Sequence, residues 1–292
     1  MVPRSVDVAL PTPLPTGKER TVARRTWQTW SPSWVDLETP NAARVYDYYL
    51  GGSHNFEADR RMARQAMEQW PDLPKIMRAN RAFLRRSVQF LAGAGFTRFL
   101  DIGSGIPTLG PVHEVARERQ PQAQVVYVDR DPVAVAHSEL MLAEDPLSRV
   151  VQADLTDPEE LLSHPDVTAL LEAGEPVALL LVAVLHFVPD EGHPHDLVAR
   201  LRDALPPGSA LVLCHADREG RPDQVRPHQD IYARTRTPLT MRGHEEIARF
   251  FDGFTLVDPG LVYLTQWRPD SPEAVGPHPE RLPGLVGVGL LP

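Results

Sequence analysis

The sequence predicts an α/β fold built on a mostly parallel sheet. Three observations carry that reading. Five short apolar runs alternate with helix-patterned stretches through the middle of the chain. Glycine and aspartate stand where the first runs end, and two further short runs follow near the C-terminus. Successive β–α–β steps imply parallel neighbours joined by right-handed crossovers.

Residues 1–40 hold six prolines without sustained periodicity and read as a partly flexible leader. Trp27, Trp30 and Trp34 stand close together there, as a segment that docks by its aromatics or a surface for a partner. Residues 41–95 read as an N-terminal helical cap. Asn41 is a good N-cap, and the first helix runs through Leu50 to stop at Gly51-Gly52. A second covers Glu57 to Trp70. A third runs from Leu73 to about Ala92, with Ile76, Phe83, Leu84, Val88 and Leu91 at helical spacing and Gly93 and Gly95 at its end.

Residues 96–268 carry the alternation. The strand-like runs are Phe96–Ile102, Gln124–Val128, Arg149–Ala153, Val177–Val184 and Ala210–His215. Helical stretches lie near Leu109–Arg119, Pro132–Ala143, Pro158–Glu172, His195–Leu205 and His244–Phe251. The runs Phe254–Val257 and Leu261–Trp267 are joined only by Asp258-Pro259-Gly260, too short for a crossover, so an antiparallel hairpin is expected. Residues 269–292, rich in Pro and Gly, read as a tail.

The composition narrows the function. A hydrophobic fraction of 42% supports a core, and 30 basic against 39 acidic residues gives a net charge of −9, opposite to the footprint of a general nucleic-acid binder. The single cysteine, Cys214, excludes a disulfide framework or a Cys-rich metal site; within its apolar strand it should be buried and inert. His193/His195 and His113/Glu114 lack a third partner at metal spacing, so no metal is expected. No run is long enough for a membrane span and no export signal is evident, so a reduced, cytoplasmic protein is expected, monomeric or homodimeric.

The strongest motif is Asp101-Ile102-Gly103-Ser104-Gly105 at the end of the first strand. Open parallel sheets bind ligands beyond the carboxyl ends of their strands, and glycine there lets a ligand approach the backbone. Asp129 ends the second strand, 24 residues past Gly105, placed to accept the hydroxyls of an adenosine ribose. Asp154 ends the third and could accept from an adenine amine; Arg130 and Leu155 stand beside these acids. Asp129 and Asp154 could equally be ordinary helix caps. Thr108 stands where a dinucleotide fingerprint needs glycine, and Asp101 opposes a diphosphate, which disfavours an NAD-dependent oxidoreductase. A cofactor with a cationic centre and an amino-acid end fits better: S-adenosyl-L-methionine.

The order of elements resembles the Rossmann-like class I methyltransferase fold, with a seven-stranded sheet, a C-terminal antiparallel hairpin and extra N-terminal helices. More narrowly, Ala43-Arg44-Val45-Tyr46-Asp47-Tyr48-Tyr49-Leu50-Gly51-Gly52, Asn80-Arg81-Ala82-Phe83-Leu84-Arg85-Arg86 and Trp267-Arg268-Pro269 resemble motifs of the S-adenosyl methyltransferase family, once catalogued as a domain of unknown function. The resemblance implies methyl transfer from S-adenosylmethionine to a small molecule, at oxygen or nitrogen, and names no substrate. The alternative is a regulatory protein that binds the cofactor without transferring methyl groups. In the class I pattern the N-terminal helices close over the cofactor, so Arg44 could pair the methionine carboxylate and Tyr46 or Tyr48 flank the sulfonium; an ordinary amphipathic helix reads the same. Asn80 and Arg81 stand out of a basic stretch, residues 59 to 86, that otherwise reads as a solvated helix face. His186 and His215, which follow or end the fourth and fifth strands, could each serve as general base or simply be hydrogen-bonded structural histidines. Tyr232 and Arg236 could contribute to a substrate lid.

Overall fold

The computed structural model describes residues 36–233, 235 and 237–292. The Trp27, Trp30 and Trp34 cluster, most of the leader and Arg236 lie outside the described residues. Among the described residues three helices come first: α1 (Ala42–Tyr49), α2 (Glu57–Gln69) and α3 (Leu73–Gly93). The Asn41 side chain caps α1 by accepting from the Ala43 N–H at 2.8 Å. Then follow β1 (Arg98–Ile102), α4 (Val112–Arg117), β2 (Gln124–Asp129), α5 (Pro132–Met141), β3 (Ser148–Gln152), α6 (Pro158–Ser163), α7 (Pro165–Leu171), β4 (Val177–Val182), α8 (Pro194–Asp203) and β5 (Ala210–Ala216). The single helix expected over 158–172 is two, because Pro165 starts α7 and the residue before a proline is pushed out of the helical region.

The five strands are parallel in the order β3-β2-β1-β4-β5. Their side chains alternate between two cores. Phe99, Val125, Tyr127, Leu180 and Val212 face α3 residues such as Phe83, Leu84 and Val88 in one. Leu100, Val126, Val128, Leu179 and Leu213 meet Leu161, Val167, Leu197 and Leu201 in the other. The strand order reverses between β1 and β4, which makes the crevice beyond their carboxyl ends the expected ligand site.

The C-terminal part departs from expectation. After α9 (Pro222–Tyr232) and α10 (His244–Ala248) come β6 (Thr255–Leu256), β7 (Val262–Tyr263) and β8 (Gly284–Leu290), so among the described residues the sheet has eight strands instead of seven. β6 and β7 form no hairpin with each other. Both run antiparallel to β8 on the edge away from β5, Thr255 opposite Leu290 and Tyr263 opposite Leu285. They are two pieces of one interrupted edge strand, and Asp258-Pro259-Gly260 belongs to the bulge between them instead of to a turn. β8 itself falls in the stretch expected as a tail, yet its partners on both edges make it internal to the sheet. Its glycines serve close packing: a Cβ on Gly287 would stand 2.9 Å from the Phe251 ring, and one on Gly289 would stand 2.8 Å from Phe254 Cβ.

The motif residues around Arg86 and Trp267 meet in this part. Trp267 is fully buried, edge-on to Phe83 at 5.5 Å. Arg86 donates to the carbonyls of Trp267 and Leu264, at 2.9 and 2.8 Å, tying α3 to the segment after β7. Part of the basic stretch is therefore structural.

Candidate active site

One large cavity opens at the switch point. It is walled by α1 and α3 on one side, by the ends of β1–β5, and by α9 with residues 237–241 on the other. Its floor is the glycine turn. Gly103 and Gly105 have φ of +71° and +62°, a region that costs an L side chain about 1–2 kcal/mol. At Gly103 there is also no room, since a Cβ would stand 2.3 Å from Val184 Cγ2 after β4. Gly103 and Ser104 both donate to the Val128 carbonyl, at 2.8 and 3.1 Å, which fixes the turn against β2.

Asp129 closes the same corner. One carboxylate oxygen accepts from Gly105 N–H and the other from Asp131 N–H, both at 2.8 Å. Each oxygen keeps a lone-pair site for a ligand hydroxyl. Burial lifts its carboxyl to about 6 against the pull of those two N–H groups. Asp101, at the end of β1, is lifted to about 7 by burial with the Asp129 charge adding to it, while Arg81 acts in the other direction. The Asp154 carboxylate accepts from Thr156 N–H and Oγ and pairs with Arg130 at 3.2 Å. Asp154, Arg130 and Leu155 line the cavity with Ser104.

The sign of the Asp101 shift makes a prediction. A carboxyl raised in the folded state binds a proton that the unfolded chain has released, so ligand-free stability falls as pH rises from about 4 to about 7. Asp101→Asn removes that loss. Its melting temperature without ligand should exceed wild type by about 5 °C at pH 8 and match it at pH 4. Thermal denaturation at the two pH values checks this; an unchanged gap would contradict it.

On the helical side, Tyr46 and Asn80 reach the cavity as a pair. Asn80 Nδ2 donates to the Tyr46 hydroxyl at 2.8 Å, and that hydroxyl donates to the Met77 carbonyl at 3.3 Å. Burial pushes the Tyr46 phenol up to about 12. Asn80 Oδ1 is left buried with no partner, an acceptor waiting for a donor. Arg81 lines the cavity too, anchored on the Leu109 and Gly110 carbonyls.

Several expected residues are placed differently. Arg44 does not reach the cavity. Its guanidinium is 3.6 Å from Asp59 and 3.5 Å from Asp131, donates to the Thr39 carbonyl, and lies over Phe56. Its charge is thus committed to acids of the fold instead of to a cofactor carboxylate. Tyr48 packs against the apolar core and is absent from the cavity wall. His215 is fully buried off the cavity, with Nδ1 donating to the Ala216 carbonyl at 2.9 Å and Nε2 accepting from Arg242 at 2.8 Å. Both nitrogens are used, and burial, with His186 beside it, drives its pKa well down, so it serves as an anchor for Arg242 and not as a base.

His186 does line the cavity. Its Nδ1 accepts from Ala216 N–H at 3.4 Å, which leaves the proton on Nε2 as a donor. Burial, with Arg242 and His228 nearby, lowers its pKa to about 3. Its role as general base is therefore replaced by that of a neutral hydrogen-bond donor. Its imidazole resonance is expected to hold a neutral shift from pH 8 to pH 4.5; an NMR titration midpoint near the ordinary histidine value would contradict this. Cys214 lines the cavity with its thiol pushed up to about 12 by burial, in keeping with an inert side chain.

Three contributors were not anticipated. Asp47 accepts from His54 N–H and Asn55 Nδ2, both at 2.8 Å, and so locks the loop after α1; a Cβ on Gly52 would overlap it. Helix α9 brings the unexpected His228 onto one buried face with Tyr232, four residues on, the residue that the sequence offered for a substrate lid. Arg242 holds the segment after β4 through the Leu185 and Val188 carbonyls. Asp47 lies inside the tyrosine-rich motif, which was its available signal; the other two had none in local sequence. Among the described residues no group of three or more His, Cys, Asp or Glu is placed to hold a metal, and no helix is long and apolar enough to cross a membrane.

Residues 28–292 match the S-adenosyl methyltransferase family over most of the chain. The chain belongs to that family. It is similar to a candidate methyltransferase from Thermobifida fusca at 42% identity, covering 90% of this chain and 98% of that one, with a TM-score of 0.84. A DUF574-family protein from Streptomyces avermitilis is 39% identical, with 88% and 99% of the two chains covered and a TM-score of 0.83. An O-methyltransferase family protein from Burkholderia thailandensis, 14% identical with a TM-score of 0.50, covering 87% of this chain and 64% of that one, shares the fold alone. No curated protein matches. This S-adenosyl methyltransferase is thus an enzyme that uses S-adenosylmethionine. The residues present fit that cofactor: a turn with glycine at 103 and 105, the Asp129 carboxylate beside it with open lone pairs, and the unpartnered Asn80 Oδ1.

Proposed function

We propose that the protein methylates a small molecule at oxygen or nitrogen, within this one cavity. The observation that carries the reading is the enclosure of the wall. Asn80, Asp101, His186, His228 and Tyr232 all line the cavity and are each more than nine-tenths buried, which suits a compact acceptor better than a protein or nucleic-acid surface. When bound, S-adenosylmethionine supplies a methyl group already activated by its sulfonium.

In this reading Asp129 holds the ribose hydroxyls and Asp154 the adenine amine, with Arg130 and Leu155 beside it. Gly103, Ser104 and Gly105 bring the backbone close to the amino-acid end. Asn80 Oδ1 accepts from the ammonium, and Arg81, in place of Arg44, offers the cation for the carboxylate. Asp101 supplies negative charge near the cationic centre. Tyr46 closes the helical side. The chain's contribution to rate is positioning and exclusion of water, since in-line displacement at an activated carbon needs little else.

Both histidines of the cavity wall, His186 and His228, are pulled by burial to about 3 and about 4, so both are neutral near neutral pH. A screen with labelled methyl donor against small-molecule, peptide and nucleic-acid pools tests the reading. Label in the small-molecule pool alone supports the proposal. Label only in macromolecules, or no label in any pool, would overturn it.

A further inference from the structure

The part of the cavity bounded by α9, residues 183–188 and residues 237–241 has a different chemistry. Its wall carries Trp70, His228, Tyr232, Phe187 and His186. Successive rings stand 5.3, 5.0, 5.9 and 4.5 Å apart, so the five form one continuous aromatic lining. The wall residues contributed by α9, by residues 183–188 and by residues 237–241 carry no carboxylate, lysine or arginine. The charged wall residues, Asp47, Arg81, Asp101, Asp129, Arg130 and Asp154, come from α1, from α3 and from the ends of β1–β3.

Two donors belong to residues of this lining and have no settled acceptor. The Trp70 indole N–H is buried with no hydrogen-bond partner, which costs free energy unless something accepts from it. The His186 tautomer leaves its Nε2–H available, since Nδ1 is taken by Ala216 N–H. Rings set at 82°, 56°, 35° and 67° to one another offer both faces and edges, and together with N–H donors they suit an aromatic ligand that carries acceptor atoms at its edge.

We propose that the methyl acceptor is a planar, uncharged aromatic or heteroaromatic compound with a ring nitrogen or oxygen that accepts from Trp70 and His186. This rests on the methyl-transfer reading above and adds the substrate class. A charged acceptor such as a polyamine or a sugar phosphate would lose its hydration there without gaining a counter-charge.

The test is calorimetry in two stages. S-adenosylhomocysteine is first titrated into the protein; failure to bind would overturn the cofactor reading, and this inference with it, before any acceptor is added. The saturated protein is then titrated with 4-hydroxyquinoline, spermidine and glucose 6-phosphate. The quinoline is expected to bind at least about ten-fold more tightly than either charged probe. Trp70→Phe keeps the ring and removes the N–H. It should weaken the quinoline about five-fold, one hydrogen bond, while leaving S-adenosylhomocysteine affinity unchanged. Equal or tighter binding of a charged probe, or no quinoline binding to saturated wild type, would overturn the inference, and the wild-type ranking stands even where the variant fails to fold.

Discussion

Asp129→Ala is expected to weaken S-adenosylhomocysteine binding at least about hundred-fold, because charge-assisted hydrogen bonds of about 1.5–3 kcal/mol to two ribose hydroxyls go together. The variant also loses the acceptor for Gly105 N–H and Asp131 N–H, so the glycine turn is no longer tied to the end of β2. Folding should survive, since the wild-type carboxylate is itself held against a desolvation penalty. Asp129→Asn, which keeps one carbonyl acceptor, should fall between the two. Calorimetry with circular dichroism as the folding check decides it; unchanged affinity in a folded Asp129→Ala protein would remove Asp129 from the cofactor site.

The largest stability effect is expected at Arg242. Its guanidinium is 1% exposed and donates to the Leu185 carbonyl, His215 Nε2, the Val188 carbonyl and Asp190. Arg242→Ala leaves buried acceptors unpaired and opens a cavity beside Phe250, which should cost about 3–5 kcal/mol. For a chain of this size the melting temperature should drop by about 6–10 °C. Arg242→Lys restores the charge without the planar fork and should recover less than half of the loss. A drop of under about 2 °C in Arg242→Ala would show that the network contributes little. The same residue holds the segment that carries His186 and Phe187 to the cavity, so stability and acceptor binding should fall together.

Much of the parallel sheet was legible because its strands are nearly continuous apolar runs ended by aspartate or glycine. Val177–Val182 is buried throughout except at its last residue, so sequence pattern and tertiary position agree. The strand-end acids were readable for the same reason: a charge terminating an apolar run has only the crevice to point into. What was not legible depended on contacts distant in sequence. Gly284–Leu290 reads as flexible because its glycines are indistinguishable from loop glycines until Phe251 and Phe254 are seen packing on them. Helix α9 contains Pro227 and a polar face, and its buried His228, Ile231 and Tyr232 make too thin a stripe to outweigh the proline. Arg44 illustrates the opposite error. Its motif was recognisable, but Asp59 and Asp131, which claim its charge, lie 15 and 87 residues away and meet it only in the folded chain.

A calorimetric titration of the wild-type protein with S-adenosylhomocysteine and, in parallel, with NAD tests the cofactor assignment. Saturable one-to-one binding of S-adenosylhomocysteine at micromolar strength and no heat with NAD are expected. Binding of NAD alone, or of neither, would overturn the assignment.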